Sequence, residues 1–311
     1  MAEEALETAV AKRPLFVAVD WGTSRFRAYL VASDGTVLDV RSCDDGVAQV
    51  KNGAFEPVLL RECGDWLTAD PALPVVMAGM IGSRNGWREA PYAPCPAGLA
   101  EIAAAGLTFK ASQGSPISII PGLIDRSAAV VDVMRGEETQ ILGAGDGDAI
   151  VILPGTHSKW ALRQGGRITT FRSFMTGEFF ALLTQHSVLR LLAEDAAAGI
   201  DTTADFDRGL AAASADGGLT NRAFHARTLV LGGDLAATGV KPYLSGLLIG
   251  SEVHEAIALM PADLPIVLVA AGVIADNYSR ALAAKGRRAS LISGEQAFLS
   301  GLARILQSQQ S

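Results

Sequence analysis

Two short hairpins, roughly 130 residues apart, constrain this 311-residue chain more than any other feature. The first runs Phe16-Val17-Ala18-Val19-Asp20-Trp21-Gly22-Thr23-Ser24 and returns through Arg27-Ala28-Tyr29-Leu30-Val31. The second runs Ala149-Ile150-Val151-Ile152-Leu153-Pro154-Gly155-Thr156-His157-Ser158 and returns through Lys159-Trp160-Ala161-Leu162. Each is an apolar strand that stops at a Gly-Thr turn and passes directly into another strand. Glycine lets backbone N–H groups approach an anion closely, and the neighbouring hydroxyls add donors. One such turn in each half of the chain predicts a two-sided grip on the phosphates of a nucleotide, and with it phosphoryl transfer.

The remaining strand and helix signals fall into the same duplicated pattern. Strands are expected at 15–20, 26–31 and 37–41, with Ser33-Asp34-Gly35 as a turn, then a helix over 57–66. Buried strands follow at 75–78 and 117–120. Beyond the second hairpin come a strand at 167–171 and helices over 178–193 and 243–260. A strand at 266–269, a helix at 276–284, a strand at 288–292 and a helix at 295–306 close the series. Each half thus opens on adjacent antiparallel strands and then alternates strands with helices, an α/β duplication with mixed sheets. The reading divides the chain into an N-terminal tail at 1–13, which includes Glu3, Glu4 and Glu7, and domains at 14–135 and 136–311. The junction region is marked by Gly136, Gly143, Gly145 and Gly147. In a duplicated fold of this kind the ligand is expected at the carboxyl ends of strands, in a cleft between the halves.

Composition narrows the function classes. Apolar residues make up 49% and charged residues 19%, which suits compact domains with real cores. A net charge of −7 and the lack of any basic run argue against nucleic acid as a partner. No run of apolar residues is long enough to span a bilayer, and the acidic N-terminus lacks the apolar core of a secretion signal. Cys43, Cys63 and Cys95 form no CxxC pair and read as reduced thiols. A cytoplasmic protein with a small-molecule partner is expected. A homodimer is one arrangement left open.

Four segments carry candidate chemistry. Asp20, next to the first phosphate turn, is placed to hold Mg²⁺ directly or through water. In Arg135-Gly136-Glu137-Glu138, adjacent carboxylates beside a glycine suit a general base for a sugar hydroxyl. The same acids also suit the first turn of a helix by complementing its dipole. The loop Gly82-Ser83-Arg84-Asn85-Gly86-Trp87 offers donors, a cation and an aromatic to a small anionic substrate. Ala271-Gly272, between a strand and a helix, permits close approach of a flat ring. His157 sits within a motif, whereas His186, His225 and His254 show no metal-ligand spacing.

In this order the motifs resemble those of sugar kinases of the actin/hexokinase/Hsp70 superfamily: phosphate-1, catalytic acid, phosphate-2 and adenosine. More narrowly, the chain resembles the 2-dehydro-3-deoxygalactonokinases. The matching blocks are Asp20-Trp21-Gly22, Val76-Met77-Ala78-Gly79-Met80, Ile120-Pro121-Gly122-Leu123 and Val133-Met134-Arg135-Gly136-Glu137-Glu138-Thr139-Gln140. Further blocks are Pro154-Gly155-Thr156-His157, Met175-Thr176-Gly177-Glu178 and Leu244-Ser245-Gly246-Leu247-Leu248-Ile249-Gly250.

The resemblance implies two ribonuclease H-like domains of the actin-like ATPase type, closing on an interdomain active-site cleft. It implies ATP-dependent phosphorylation of 2-dehydro-3-deoxy-D-galactonate at its 6-hydroxyl, in galactonate catabolism. ATP would then rest on Gly22, Thr23 and Ser24 and on Gly155, Thr156, His157 and Ser158, with Ala271 and Gly272 near its adenosine. Mg²⁺ would depend on Asp20, since Pro154 stands where many superfamily members carry an Asp. The sugar acid would meet Gly82, Ser83, Arg84, Asn85 and Trp87, with Arg84 pairing its carboxylate. Glu137 or Glu138 would accept the proton, and Arg135 or Lys159, the latter also within reach of substrate, would offset charge on the transferring group. The competing readings are a kinase for another sugar or sugar acid and a nonenzymatic ATP-switched binding protein. A DNA-binding sugar-kinase relative would need a helix pair before Pro14.

Overall fold

The computed structural model describes residues 13–197, 199–215 and 217–310. The tail expected at 1–13 lies outside them but for Arg13. The chain divides into two compact units. The first runs to Gly147 and adds Arg163–Thr170 and the residues from Gly294 onward. The second comprises Asp148–Leu162 and Phe171–Ser293.

The first unit is built on β1 (Pro14–Trp21), β2 (Phe26–Ala32) and β3 (Val37–Cys43), an antiparallel meander. Phe16, Val17, Ala18 and Val19 are all fully buried, so β1 is covered on both faces, as its unbroken apolar run requires. After α1 (Phe55–Ala69), β4 (Val75–Ala78) returns parallel to β1 on its free side. Helix α1 presents Phe55, Val58, Leu59, Cys63, Trp66 and Leu67 to the sheet, the three-and-four spacing of one buried face. Next come β5 (Tyr92–Pro94), α2 (Leu99–Ala105), β6 (Leu107–Lys110) and β7 (Pro116–Ile119). The main sheet has the order β3-β2-β1-β4-β7-β6. A smaller sheet joins β5 to β8 (Gly122–Asp125) and β9 (Asp132–Met134), and α3 (Glu137–Gly143) follows.

The second hairpin forms β10 (Ala149–Leu153), β11 (Ser158–Gln164) and β12 (Arg167–Phe174). Helices α4 (Thr176–Gln185), α5 (Thr203–Ala212), α6 (Leu219–Leu231) and α7 (Val240–Leu259) precede β13 (Ile266–Val269). Helix α8 (Gly272–Ala283), β14 (Ala289–Ile292) and α9 (Gly294–Gln310) complete the chain. The sheet order is β12-β11-β10-β13-β14, with β10, β13 and β14 parallel. This repeats the order β3-β2-β1-β4-β7 of the first sheet, so the duplication read from the hairpins is present in the topology. The fold is that of duplicated ribonuclease H-like domains with mixed sheets.

The described structure departs from the sequence expectations in three places. The expected boundary at 135/136 lies instead after Gly147, and the first unit also takes in α9, because α3 and α9 pack backbone to backbone. A Cβ on Gly143 would fall 1.8 Å from the Ala297 carbonyl oxygen, and one on Gly301 would fall 2.0 Å from that of Thr139. The helix expected over 178–193 stops at Gln185. There the Ser187 hydroxyl accepts the Leu189 N–H at 3.0 Å and starts a separate 3-10 turn over Val188–Leu191. Finally, α2, α5, α6 and the small β5-β8-β9 sheet were not expected. Among the described residues, no helix is long and apolar enough to cross a membrane.

Candidate functional site

In the first unit the site grows from the carboxyl ends of β1 and β4. Register places Asp20 opposite Arg27 on one side and Ala78 on the other. Gly79 follows β4 with φ +97°, and Gly136 precedes α3 with φ +108°. A Cβ on Gly136 would lie 3.1 Å from the Gly79 Cα, and one on Gly79 would lie 2.9 Å from the Trp21 carbonyl oxygen. Both positions need a left-handed backbone and the space of an absent side chain, which glycine alone supplies. That contact brings Glu137 and Glu138 to the strand ends beside Asp20.

The three carboxylates differ in environment. Glu138 is fully buried. It accepts the Gly136 N–H at 2.7 Å and the Thr139 hydroxyl at 3.1 Å. Burial first, and the Glu137 charge second, push its carboxyl up to about 7. Glu137 is half-buried and accepts the Arg135 N–H at 3.1 Å. Burial raises the Asp20 carboxyl, the Arg27 guanidinium opposes this, and the Glu137 charge raises it further. One acid is thus locked into the turn, while its neighbour stays within reach of solvent.

The turn after β1 exposes Thr23 and Ser24. Its backbone is held from behind, because Val47 N–H donates to the Gly22 carbonyl and Ala48 N–H to that of Thr23, each at 3.0 Å. The loop after β4 folds tightly, with Trp87 N–H donating to the Ile81 carbonyl and Ala90 N–H to that of Gly82. Gly82 is buried, Ser83 half-buried, and Arg84 and Asn85 stand exposed at the tip. Trp87 sits edge-on to Phe109 at 5.1 Å and packs on the core of this unit, so its ring is absorbed by structure. Arg135 reaches back to the loop: Nη2 donates to the Ala90 carbonyl at 3.0 Å, and its guanidinium lies 4.3 Å from the Tyr92 ring centroid.

In the second unit Gly155, Thr156 and His157 are exposed between β10 and β11. The N-terminus of α4 abuts them: Glu178 N–H donates to the Thr156 carbonyl at 3.0 Å, and Glu178 meets His157 Nε2 at 2.6 Å. Ser158 is buried, and its hydroxyl pairs with the Tyr278 hydroxyl at 3.0 Å. Tyr278 and the Trp160 indole each donate to Glu252 at 2.8 Å. Burial raises the Glu252 carboxyl, and these donors, with Thr176, pull it back. The Lys159 side chain is also buried, and Nζ donates to the His157 carbonyl at 3.0 Å. The turn is therefore braced from inside by a hydrogen-bonded buried cluster.

Beside this turn lies an apolar cavity of about 370 Å³, lined among others by Gly155, Thr176, Phe180, Leu248, Ile274 and Tyr278. A second cavity of about 620 Å³ shares Phe180 and Ser245 with it and adds Lys241, Asn277 and Arg280. Ala271 and Gly272 are exposed at the start of α8, the helix that sends Ile274 and Tyr278 into the first cavity.

The sequence-chosen residues thus form two groups: 20–24, 82–85 and 135–138 in the first unit, and 155–159 with 271–272 in the second. Missed were Tyr92, Glu252, Tyr278 and Trp160. Glu252 had a signal, a carboxylate two residues after the apolar run Leu247–Gly250 of α7. Tyr278 and Tyr92 had none. Among the described residues no three His, Cys, Asp or Glu side chains gather around one point.

The model of the family described as 2-keto-3-deoxy-galactonokinase matches residues 20–305. The chain is 36% identical over 292 residues to a probable 2-dehydro-3-deoxygalactonokinase of Rhizobium meliloti, covering 92% of this chain and 95% of that protein. It is 35% identical over 293 residues to the 2-dehydro-3-deoxygalactonokinase of Escherichia coli, covering 93% and 97%. A Sinorhizobium meliloti crystal structure assigned to the same enzyme superposes with a TM-score of 0.83 at 36% identity, covering 94% and 98%.

Proposed function

Because this chain belongs to the 2-keto-3-deoxy-galactonokinase family, we propose that it transfers the γ-phosphoryl group of ATP to the 6-hydroxyl of 2-dehydro-3-deoxy-D-galactonate, in galactonate catabolism. The observation that carries the reading is the contrast between Glu137, half-buried, and Glu138, sealed in the turn beside it. Glu137 is the general base that accepts the 6-hydroxyl proton. Glu138 is a positioning residue: its bond to the Gly136 N–H fixes the turn from which Glu137 projects.

The first unit takes the sugar acid along Gly82, Ser83 and Asn85, and its turn Gly22-Thr23-Ser24 contributes to phosphate binding. The exposed Gly155, Thr156 and His157 hold phosphate on the second unit. Ser158 and Lys159 support that turn from within, since their polar ends are bonded to Tyr278 and to the His157 carbonyl. The cavity lined by Phe180, Leu248 and Ile274 suits an adenine by its size and apolar walls, with Ala271 and Gly272 at its helix. Asp20 fits a Mg²⁺ role, because burial and the Glu137 charge both disfavour its ionised form and a nearby cation would relieve that. Bound there, Mg²⁺ would supply charge neutralisation at the transferring phosphates, held by one carboxylate and the nucleotide itself.

A coupled ADP-release assay across 2-keto-3-deoxy sugar acids and simple hexoses tests the reading. Turnover is expected with the galactonate derivative and not with glucose. Glu137→Gln should lose about 10²–10⁴ in kcat with ATP affinity kept. Turnover confined to hexoses, or full activity in Glu137→Gln, would overturn the assignment, and ATP binding without ADP release on any sugar would restore the switch reading.

A further inference from the structure

Arg135 presents guanidinium nitrogens that are buried and whose donors nothing among the described residues accepts. Of its five N–H groups, one is taken by the Ala90 carbonyl through Nη2. Nε and Nη1 are buried without a hydrogen-bond partner among the described residues. The hydroxyl of Ser83 is a second buried polar atom without a partner, in the same corner of the unit. A Cβ on the adjoining Gly82 would fall 3.1 Å from Arg135 Nη1, so the loop backbone runs directly against the guanidinium. Leaving such donors buried and unpaired is costly, and a cation without its anion more so. Their number and planarity match a carboxylate.

Resting on the kinase reading, we propose that Arg135, with the Ser83 hydroxyl, binds the C1 carboxylate of the sugar acid and sets the preference for acids over neutral sugars. This moves the carboxylate from Arg84, which stands exposed at the loop tip. It also moves Arg135 from the transferring phosphoryl group to the opposite end of the substrate. Nε and Nη1 have no solvent-exposed surface, so an arriving carboxylate reaches them by displacing a neighbour. Tyr92 is that neighbour: its ring centroid lies 4.3 Å from the guanidinium carbon, and the residue is 40% exposed. Substrate binding thus exchanges a cation–π contact for an ion pair.

The test compares 2-dehydro-3-deoxy-D-galactonate with its analogue carrying a primary alcohol at C1, in wild type, Arg135→Gln and Ser83→Ala. Arg135→Gln should raise KM for the acid about 10²–10³-fold, as expected for removing one partner of a buried charge pair. The KM for ATP and kcat should stay within a few-fold, and the alcohol should be handled as by wild type. Ser83→Ala should raise the KM for the acid by about tenfold, the weight of one hydrogen bond to a charged group. A fall in kcat on both substrates at unchanged KM would place Arg135 at the phosphoryl group and overturn the proposal. Should Arg135→Gln not fold, Ser83→Ala decides, since an unchanged KM for the acid would overturn it. Titration calorimetry of the acid without ATP separates the two readings. Acid binding that Arg135→Gln abolishes, with no wild-type turnover, would keep the carboxylate site and reject the kinase; turnover with unaltered acid preference would reject the site alone.

Discussion

At the scale of single residues, Glu137 and Glu138 show what a sequence withholds. Both letters sit in the first turn of a short helix, and both suit a base or a dipole-complementing acid equally well. Burial separates them, and burial depends on Gly79 and Gly136 meeting across 57 positions of chain. Glu138 makes a distinct prediction for stability. Its carboxyl moves from 4.5 to about 7 on folding, so between those values the folded chain holds a proton that the unfolded chain has lost. The sign follows from linkage: no penalty exists below about pH 4.5, it grows as pH rises, and above about pH 7 it reaches roughly 3 kcal/mol. Urea unfolding of wild type and Glu138→Gln from pH 4 to 8 should show the variant gaining on wild type by about that amount across the window. Parallel pH profiles for the two proteins would mean that Glu138 ionises normally in the fold. Asp20 and Arg135 stood out in the sequence as polar residues within motifs, but the contacts of Arg135 did not, because Ala90 and Tyr92 carry no mark of a site.

At the scale of elements, the strands were the most readable part. β1, β4 and β10 are short apolar runs ended by Asp, Gly or Pro, β13 is one that runs into Ala270-Ala271-Gly272, and the structure forms them within two residues of the expected limits. The helices α5 and α6 escaped notice because their apolar faces are narrow and rich in alanine. Another element-level fact was present in the letters without being readable: glycines at helix crossings. Gly246 and Gly250 of α7 lie against Phe206 and Leu210 of α5, where a Cβ on Gly246 would sit 2.0 Å from the Phe206 carbonyl oxygen. In the first unit Gly143 and Gly301 do the same for α3 and α9. Ala in place of Gly246, Gly143 or Gly301 must push two backbones apart, an overpacking that costs about 1–3 kcal/mol or more. Gly301→Ala carries a further consequence, since it loads α3, the helix that bears Glu137. It should lower Tm by several degrees and lower kcat, whereas Gly246→Ala should lower Tm comparably and act through the nucleotide side, raising the KM for ATP. Thermal melts and steady-state kinetics on the two variants check this. Equal stability with wild type in Gly301→Ala would show that the helices do not approach as described.

At the scale of the whole molecule, the duplication was visible in the two hairpins, but the closure of the first unit was not. A periodic apolar face at the end of a sequence says that a helix forms there, and nothing local says which core it joins. The answer is in long-range contacts. Ala297, Phe298, Leu302 and Ile305 are buried on one face of α9. Phe298 lies 6.4 Å from the Tyr29 ring, and the Tyr29 hydroxyl donates to Glu295 at 3.1 Å. The last helix therefore completes the core begun by the first strands, and the unit is discontinuous in sequence. A fragment of residues 1–147 lacks that helix and leaves Tyr29 and the α3 face open to water. It should unfold without cooperativity in urea and bind the dye used to detect exposed apolar surface. Joining residues 292–311 to it through a flexible Gly/Ser linker should restore a single sharp transition, because the linker converts docking of α9 into an intramolecular step. Circular dichroism at increasing urea reads both outcomes. A cooperative transition in the fragment alone would show that α9 is an accessory to the first unit, and it would leave the loss of activity expected of Gly301→Ala without a structural cause.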